Sequence, residues 1–280
     1  MKLCRVGPKG REIPALQSPD GRLHDLSGEI DDISASWLSA GGLEALAQAD
    51  LSQLPEINRD TRRGVPVADI GKIVCAGMNY HDHCAEAGVE VPTQPAIFMK
   101  ATSSLSGPDD PIVRPQGASQ LDWEIELAAV IGVEARNVSR DEALDHVAGY
   151  TILNDVTDRD FQFNHGGQWL KGKSADTFCP LGPWLVTPDE IDDPQSLGMT
   201  LSVNGERMQA GSTSQMVFGL ADLISHISRY MTLHPGDVVS TGTPPGVGMG
   251  QKPEPRWLED GDIVTLEIDG LGRQEQRVAS

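Results

Sequence analysis

Residues 121–132 (LDWEIELAAVIG) restrict the fold more than any other stretch of the chain. They open by alternation, with Trp123, Ile125 and Leu127 on one face of an extended strand and Asp122, Glu124 and Glu126 on the other. They close on the apolar run 128–131, which suits a strand covered on both faces. Two readings follow. The acidic face can be solvated at the rim of a sheet, or Glu124 and Glu126, about 6.5 Å apart along the strand, can converge on one hard cation. Burial favours the second, because unpaired carboxylates are costly in an interior and a cation relieves them.

Residues 150–160 (YTILNDVTDRD) supply a third carboxylate, since Asp155 ends an apolar run where a strand meets a loop. Three carboxylates on Mg²⁺ or Mn²⁺ leave about three octahedral positions open, room for a bidentate substrate and a water. Such a site keeps one net negative charge, and Arg159 and Lys173 are the nearby cations that would let an anion approach. The chain as a whole carries 41 Asp and Glu against 22 Lys and Arg, a net charge of −19, with no basic run. Nucleic acid and anionic membrane are therefore excluded as partners. Residues 1–10 lack the apolar stretch of a signal peptide and no segment is long and apolar enough to span a bilayer, so a soluble, cytoplasmic protein is expected. Cys4, Cys75, Cys84 and Cys179 are scattered and form no CxxC, which reads as four reduced thiols.

Short β-type runs at 73–76, 125–131, 150–153, 199–203, 237–241 and 263–268 dominate the rest, separated by turn signals such as Asn204-Gly205 and Asp260-Gly261-Asp262. Helical spacing is limited to 140–147 and 216–231, so the strict alternation of a doubly wound sheet is absent. The expected class is α+β, mainly β, with peripheral helices. Residues 1–70 read as a small accessory domain with a hairpin turn at Pro19-Asp20-Gly21-Arg22 and a helix over 33–49; residues 71–280 form the main domain.

Residues 77–88 (GMNYHDHCAEAG) predict a short helix capped at Asn79 and stopped at Gly88, with His83 and Glu86 sharing a face. That pair can hold an imidazole tautomer or share a proton, with His81 and Asp82 in competition. Residues 167–174 (GQWLKGKS) match a phosphate-loop pattern, but no apolar strand precedes them and Pro180 and Pro183 follow too soon for the required helix. Residues 240–250 (STGTPPGVGMG) suggest a rigid substrate loop with exposed N–H groups and Thr243; Pro244 and Pro245 rule out a dinucleotide helix there.

The series GMNYHDHCAEAG, DWEIELAAVIG, NDVTDRDFQ, WLKGKSADTFCPLGP, NGERMQAGSTSQMVF and PGDVVSTGTPPGVG, in this order over residues 71–280, resembles the fumarylacetoacetate hydrolase superfamily. The resemblance implies a mixed β-roll in the C-terminal domain, a divalent metal, Mg²⁺ or Mn²⁺, and a homodimer. It implies metal ligation by Glu124, Glu126 and Asp155, with Asp122 outside the ligand pattern and its replacement expected to be milder than that of a ligand. It makes His83 and Glu86 a water-activating pair on a lid, Lys173 the stabiliser of a developing oxyanion, and Arg159, Gln162, Gly242 and Thr243 substrate contacts. The longer eukaryotic members have a further Asp ligand, which has no counterpart near Ala76. The shorter bacterial branch fits better, most similar to hydrolases of 2,4-diketo-3-deoxy sugar acids such as rhamnonate or fuconate; the motifs do not separate these from ureidoglycolate lyases or fumarylpyruvate hydrolases. The implied reaction is hydrolysis of a C–C bond in a 2,4-diketo acid to pyruvate and a second carboxylic acid. An oxaloacetate decarboxylase or keto–enol isomerase would use the same site without an attacking water, and a 2-oxo acid binding protein would show no turnover.

Overall fold

The computed structural model describes residues 1–51 and 53–280. Its centre is the strand Ile125–Ile131, every residue of which is buried. Ile125, Leu127, Ala129 and Ile131 pack into one apolar core and Ala128 and Val130 into a second on the opposite face, which is why this stretch loses its polar alternation. Ten strands run in the order Glu56–Ile57, Leu23–Asp25, Ile13–Gln17, Lys2–Val6, Cys179–Val186, Val147–Asn154, Ile125–Ile131, Val238–Ser240, Ile73–Gly77 and Ala96–Lys100. An eleventh, Leu105–Ser106, joins Cys179–Val186 in parallel. A five-stranded sheet, Glu206–Ser212, Gly198–Val203, Ile263–Ile268, Gly272–Ala279 and Ile112–Val113, contributes Leu201, Val203, Val264 and Leu266 to the first core. The mainly β, mixed-sheet expectation is met.

The large sheet does not stop at residue 70. Lys2 and Leu3 pair with Val186 and Leu185, so the N-terminal strands extend it, and Leu26, Ile33, Leu38 and Leu46 share the second core with Ile73 and Val130. The hairpins at Gly21 and at Asn204-Gly205 form as the turn residues predict, the latter pair both with positive φ.

The helices are shorter than their spacing suggests. The 33–49 helix is two, Ala35–Ser39 and Gly42–Ala47, interrupted by Gly41 in the left-handed region. Residues 140–147 give only a 3₁₀ turn, Ala143–His146, before Val147 pairs with Ile131 in the sheet. The 216–231 helix shrinks to Leu220–Ser228.

Candidate metal centre

Antiparallel pairing puts the three predicted ligands together. Ile125 stands opposite Asn154, and beyond the pair the Asp155 N–H donates to the Glu124 carbonyl at 2.9 Å, so the two strand ends carry Glu124, Glu126 and Asp155 to one point. One oxygen from each lies within 4.8 Å of the others, and all three side chains are buried. On the other flank, Ala128 pairs with Ser240, which brings the glycine-rich loop alongside. Glu126 accepts from the Gly242 N–H (3.0 Å) and the Ser240 hydroxyl rather than from a cation.

Cations close the cluster. Lys173 Nζ donates to Glu124 (2.9 Å), Asp155 (2.7 Å) and Thr157 (2.8 Å). Arg159 donates to Asp122 (2.8 Å), Glu124 (2.6 Å) and Gln162 (3.1 Å). Lys100, at the end of the strand Ala96–Lys100, is 1% exposed and donates to the other oxygen of Asp155 at 2.5 Å. The sequence reading missed Lys100, since no motif marks it and only strand order brings it near. Asp122, outside the expected ligand set, takes four donors: Arg159, Trp123 N (2.8 Å), Gly248 N (2.6 Å) and Met249 N (3.1 Å). Counted formally, four carboxylates face three cations. The cluster is one charge negative alone and one positive with a divalent ion, whereas the sequence reading put the metal-loaded ligand set at one negative.

The protonation states follow this asymmetry. Burial, then Asp155 and Glu124, pushes the Glu126 carboxyl up to about 8. Burial also acts to raise Glu124, but Lys173 and Arg159 outweigh it and bring it down to about 2. Burial acts to lower Lys173, and its two carboxylate partners hold it above the ordinary lysine value. Burial raises Cys179 to about 12 and Cys75 well above its usual range, so these buried free thiols are inert neighbours. Three buried carboxylates, one short of a cation, form the oxygen-donor set that Mg²⁺ or Mn²⁺ takes.

The false phosphate motif has another purpose. Its short helix Trp169–Lys173 packs on Arg159–Asn164, not after a strand, and an added Cβ at Gly172 would fall 2.6 Å from the Asp158 carbonyl. Glycine therefore permits the contact that delivers Lys173. The loop after Ser240 differs from its expected role: its N–H groups are committed inward, Gly242 to Glu126, Gly246 to Glu86 and Gly248 and Met249 to Asp122. Thr243 is likewise engaged, donating to the Ile125 carbonyl and accepting from Gln209, each at 2.8 Å.

The helix His81–Ala87 forms as expected and ends at a left-handed Gly88, but its cap is Tyr80. Asn79 is occupied elsewhere, bonded to Thr241 and Phe218. His83 Nδ1 meets Glu86 at 2.8 Å, while the other Glu86 oxygen takes the Gly246 N–H at 2.8 Å. His83 is buried and His81 exposed, which separates the two histidines. His83, Glu124, Glu126, Arg159, Gln162, Lys173, Gly242 and Thr243 all line one cavity of about 70 Å³.

Residues 72–279 match the model of the fumarylacetoacetate hydrolase C-terminal family. The chain belongs to the fumarylacetoacetate hydrolase family. It is 51% identical over 279 residues to 2,4-didehydro-3-deoxy-L-rhamnonate hydrolase of a Sphingomonas species, covering 100% of this chain and 96% of that one. Among solved structures it is similar to a fumarylacetoacetate hydrolase of Exiguobacterium antarcticum (TM-score 0.89, 38% identity, covering 100% of this chain and 99% of that one). It is also similar to maleylpyruvate hydrolase of Sphingobium sp. SYK-6, solved with manganese(II) and pyruvate (TM-score 0.84, 31% identity, 100% and 99% covered). This fumarylacetoacetate hydrolase family member is an enzyme, a hydrolase of carbon–carbon bonds in ketonic substances. Among its described residues no helix is long and apolar enough to cross a membrane.

Proposed function

We infer that the protein hydrolyses the C3–C4 bond of a 2,4-diketo acid, an acylpyruvate or a diketo-deoxy sugar acid, to pyruvate and a second carboxylic acid. The observation that carries this reading is the convergence of Glu124, Glu126, Lys173 and His83 on one small cavity, with Asp155 bonded to Lys173 and Glu86 to His83 behind them. Glu124, Glu126 and Asp155 would hold a Mg²⁺ or Mn²⁺ ion, which would supply positive charge for a bound 2-oxo acid. The rest of the chemistry falls to the chain. With Glu86 accepting from Nδ1–H, the His83 lone pair lies on Nε2, which suits it to take a proton from water. Lys173, buried and held in its charged form, supplies the countercharge where the C4 carbonyl oxygen becomes an alkoxide. Arg159 and Gln162, coupled to each other, stand at the cavity wall to orient the pyruvate half, and Gly242 and Thr243, bonded inward, shape the wall beside them.

Support for the substrate class comes from the Sphingomonas relative, named for a diketo-deoxy sugar acid, and from the Sphingobium structure, which contains pyruvate. The reading places the enzyme in the cytoplasm as a homodimer, which light scattering tests. For the reaction itself, the test is loss of diketone absorbance with matching pyruvate formation and solvent oxygen-18 in the second acid. Turnover that survives exhaustive chelation, or a product acid without the label, overturns it.

A further inference from the structure

The motif around Gln209 (NGERMQAGSTSQMVF) has no part in the reaction above, yet Gln209 is the one residue of the strand Glu206–Ser212 that is fully buried. A buried amide is costly unless its bonds are made, and here they are made to the backbone around the carboxylates. Its Oε1 accepts from the Ile125 N–H at 3.1 Å, and its Nε2 donates to the Thr243 hydroxyl (2.8 Å) and the Pro244 carbonyl (2.7 Å).

The need for these bonds follows from the register. The strand Val238–Ser240 pairs with Ile125–Ile131, Ser240 opposite Ala128, and the Thr241 N–H still reaches the Leu127 carbonyl at 3.1 Å. Continued, that register would set Thr243 opposite Ile125 and bond both backbone groups of Ile125. The chain instead turns away at Gly242, whose φ is +87° and whose N–H goes to Glu126. Side chains take over: the Thr243 hydroxyl donates to the Ile125 carbonyl at 2.8 Å, and Gln209 accepts the Ile125 N–H. The peptide joining Glu124 to Ile125 is then fixed from both sides, because its carbonyl accepts from the Asp155 N–H at 2.9 Å. The preceding peptide is held too, with the Glu124 N–H donating to the Asn154 amide oxygen at 3.2 Å.

We propose that Gln209, together with Thr243, is a positioning residue for the metal centre: it replaces the missing strand at Ile125 and so holds Glu124 and Glu126, which flank that residue, in their ligating arrangement. The proposal rests on the ligand set given above. Its bonds act through the backbone that carries the carboxylates rather than on the carboxylates themselves. A carboxylate whose peptide can swing spends less time in the binding arrangement, and that fraction reduces metal affinity directly.

The test is the Mn²⁺ affinity of the folded protein, measured by calorimetry, in Gln209→Met, Thr243→Val and Gln195→Met. Gln195 is the control, an amide that also joins two backbone groups, the Leu220 N–H (2.6 Å) and the Thr213 carbonyl (3.1 Å), but does not line the cavity. Gln209→Met is expected to weaken Mn²⁺ binding about 10- to 100-fold and Thr243→Val about tenfold, the scale of residues that orient metal ligands. Gln195→Met is expected to lower Tm and keep the wild-type affinity, since instability alone does not alter the affinity of molecules that stay folded. Wild-type affinity in Gln209→Met, or in Thr243→Val should the first variant not fold, overturns the proposal. Equal weakening in Gln195→Met overturns it as well, by reducing the effect to general instability. Failure of the wild type to bind Mn²⁺, or full occupancy in Glu124→Ala, overturns the ligand set itself and the proposal with it.

Discussion

Replacing Asp122 by Asn should damage this protein far more than its place outside the ligand pattern suggests. Asp122 is fully buried and its two oxygens divide four donors evenly: Gly248 N–H and Trp123 N–H on one, Arg159 Nε and Met249 N–H on the other. An amide offers one acceptor oxygen and one NH₂. Whichever way it flips, two donors face a donor, so no rotamer rescues the site. Each stranded buried donor costs about 1–3 kcal/mol, and removing one partner of a buried ion pair about 3–5 kcal/mol, so we expect a loss near 4 kcal/mol. For a chain of this size that is a fall in Tm on the order of 10 °C, read by thermal unfolding of the metal-free protein. Because part of the loss comes through the Arg159 guanidinium, the same change made in an Arg159→Met background should cost about half as much. A loss below about 1 kcal/mol, or an equal loss in both backgrounds, refutes the reasoning.

Ala at Glu124, Glu126 or Asp155 should abolish bound metal and turnover together, with metal content of the purified variants as the measure; full occupancy in Glu124→Ala would dismiss the ligand set. With Glu126 at about 8, a proton competes with the ion below that pH, so metal affinity should climb as pH rises toward 8 and level off above it. Calorimetry in buffers of different ionisation enthalpy counts that proton, and none released at pH 7 contradicts it. Lys100→Met should destabilise the metal-free protein by about 3–5 kcal/mol, since Asp155 loses one of two lysines. Added Mn²⁺ should then raise its Tm by more than it raises that of the wild type, and an equal rise counts against Lys100 as part of the charge balance. His83→Ala should lower kcat about 10²- to 10⁴-fold with metal retained, while exposed His81→Ala stays near wild type; the reverse pattern discards His83 as the base.

Much of this site was legible in the chain. Strand alternation grouped Glu124 with Glu126, a three-residue helical spacing grouped His83 with Glu86, and the family motifs joined these to Asp155 and Lys173. The first two inferences used residues close in sequence, where backbone geometry alone sets which side chains share a face. Asn204-Gly205 and Gly88 were read for the same reason, since a left-handed turn is a local demand. The helices over 140–147 and 216–231 were overestimated because periodicity does not mark where a helix ends: Val147 already belongs to the sheet, and the second helix starts only after Gly219, its N-cap.

What only the tertiary structure decided is the charge balance. Lys100 reaches Asp155 across 55 residues, and Gly248 reaches Asp122 across 126. Neither contact has a local signature, because sheet order and loop closure create both. The amino-acid sequence by itself determined a β-rich member of its family with a carboxylate triad and a His–Glu pair. The packed sheet decided that a third cation and a fourth carboxylate complete the cluster and that the glycine loop turns its N–H groups inward. Electrostatic energy in a buried site depends on every charge within a few ångströms, whatever its distance along the chain.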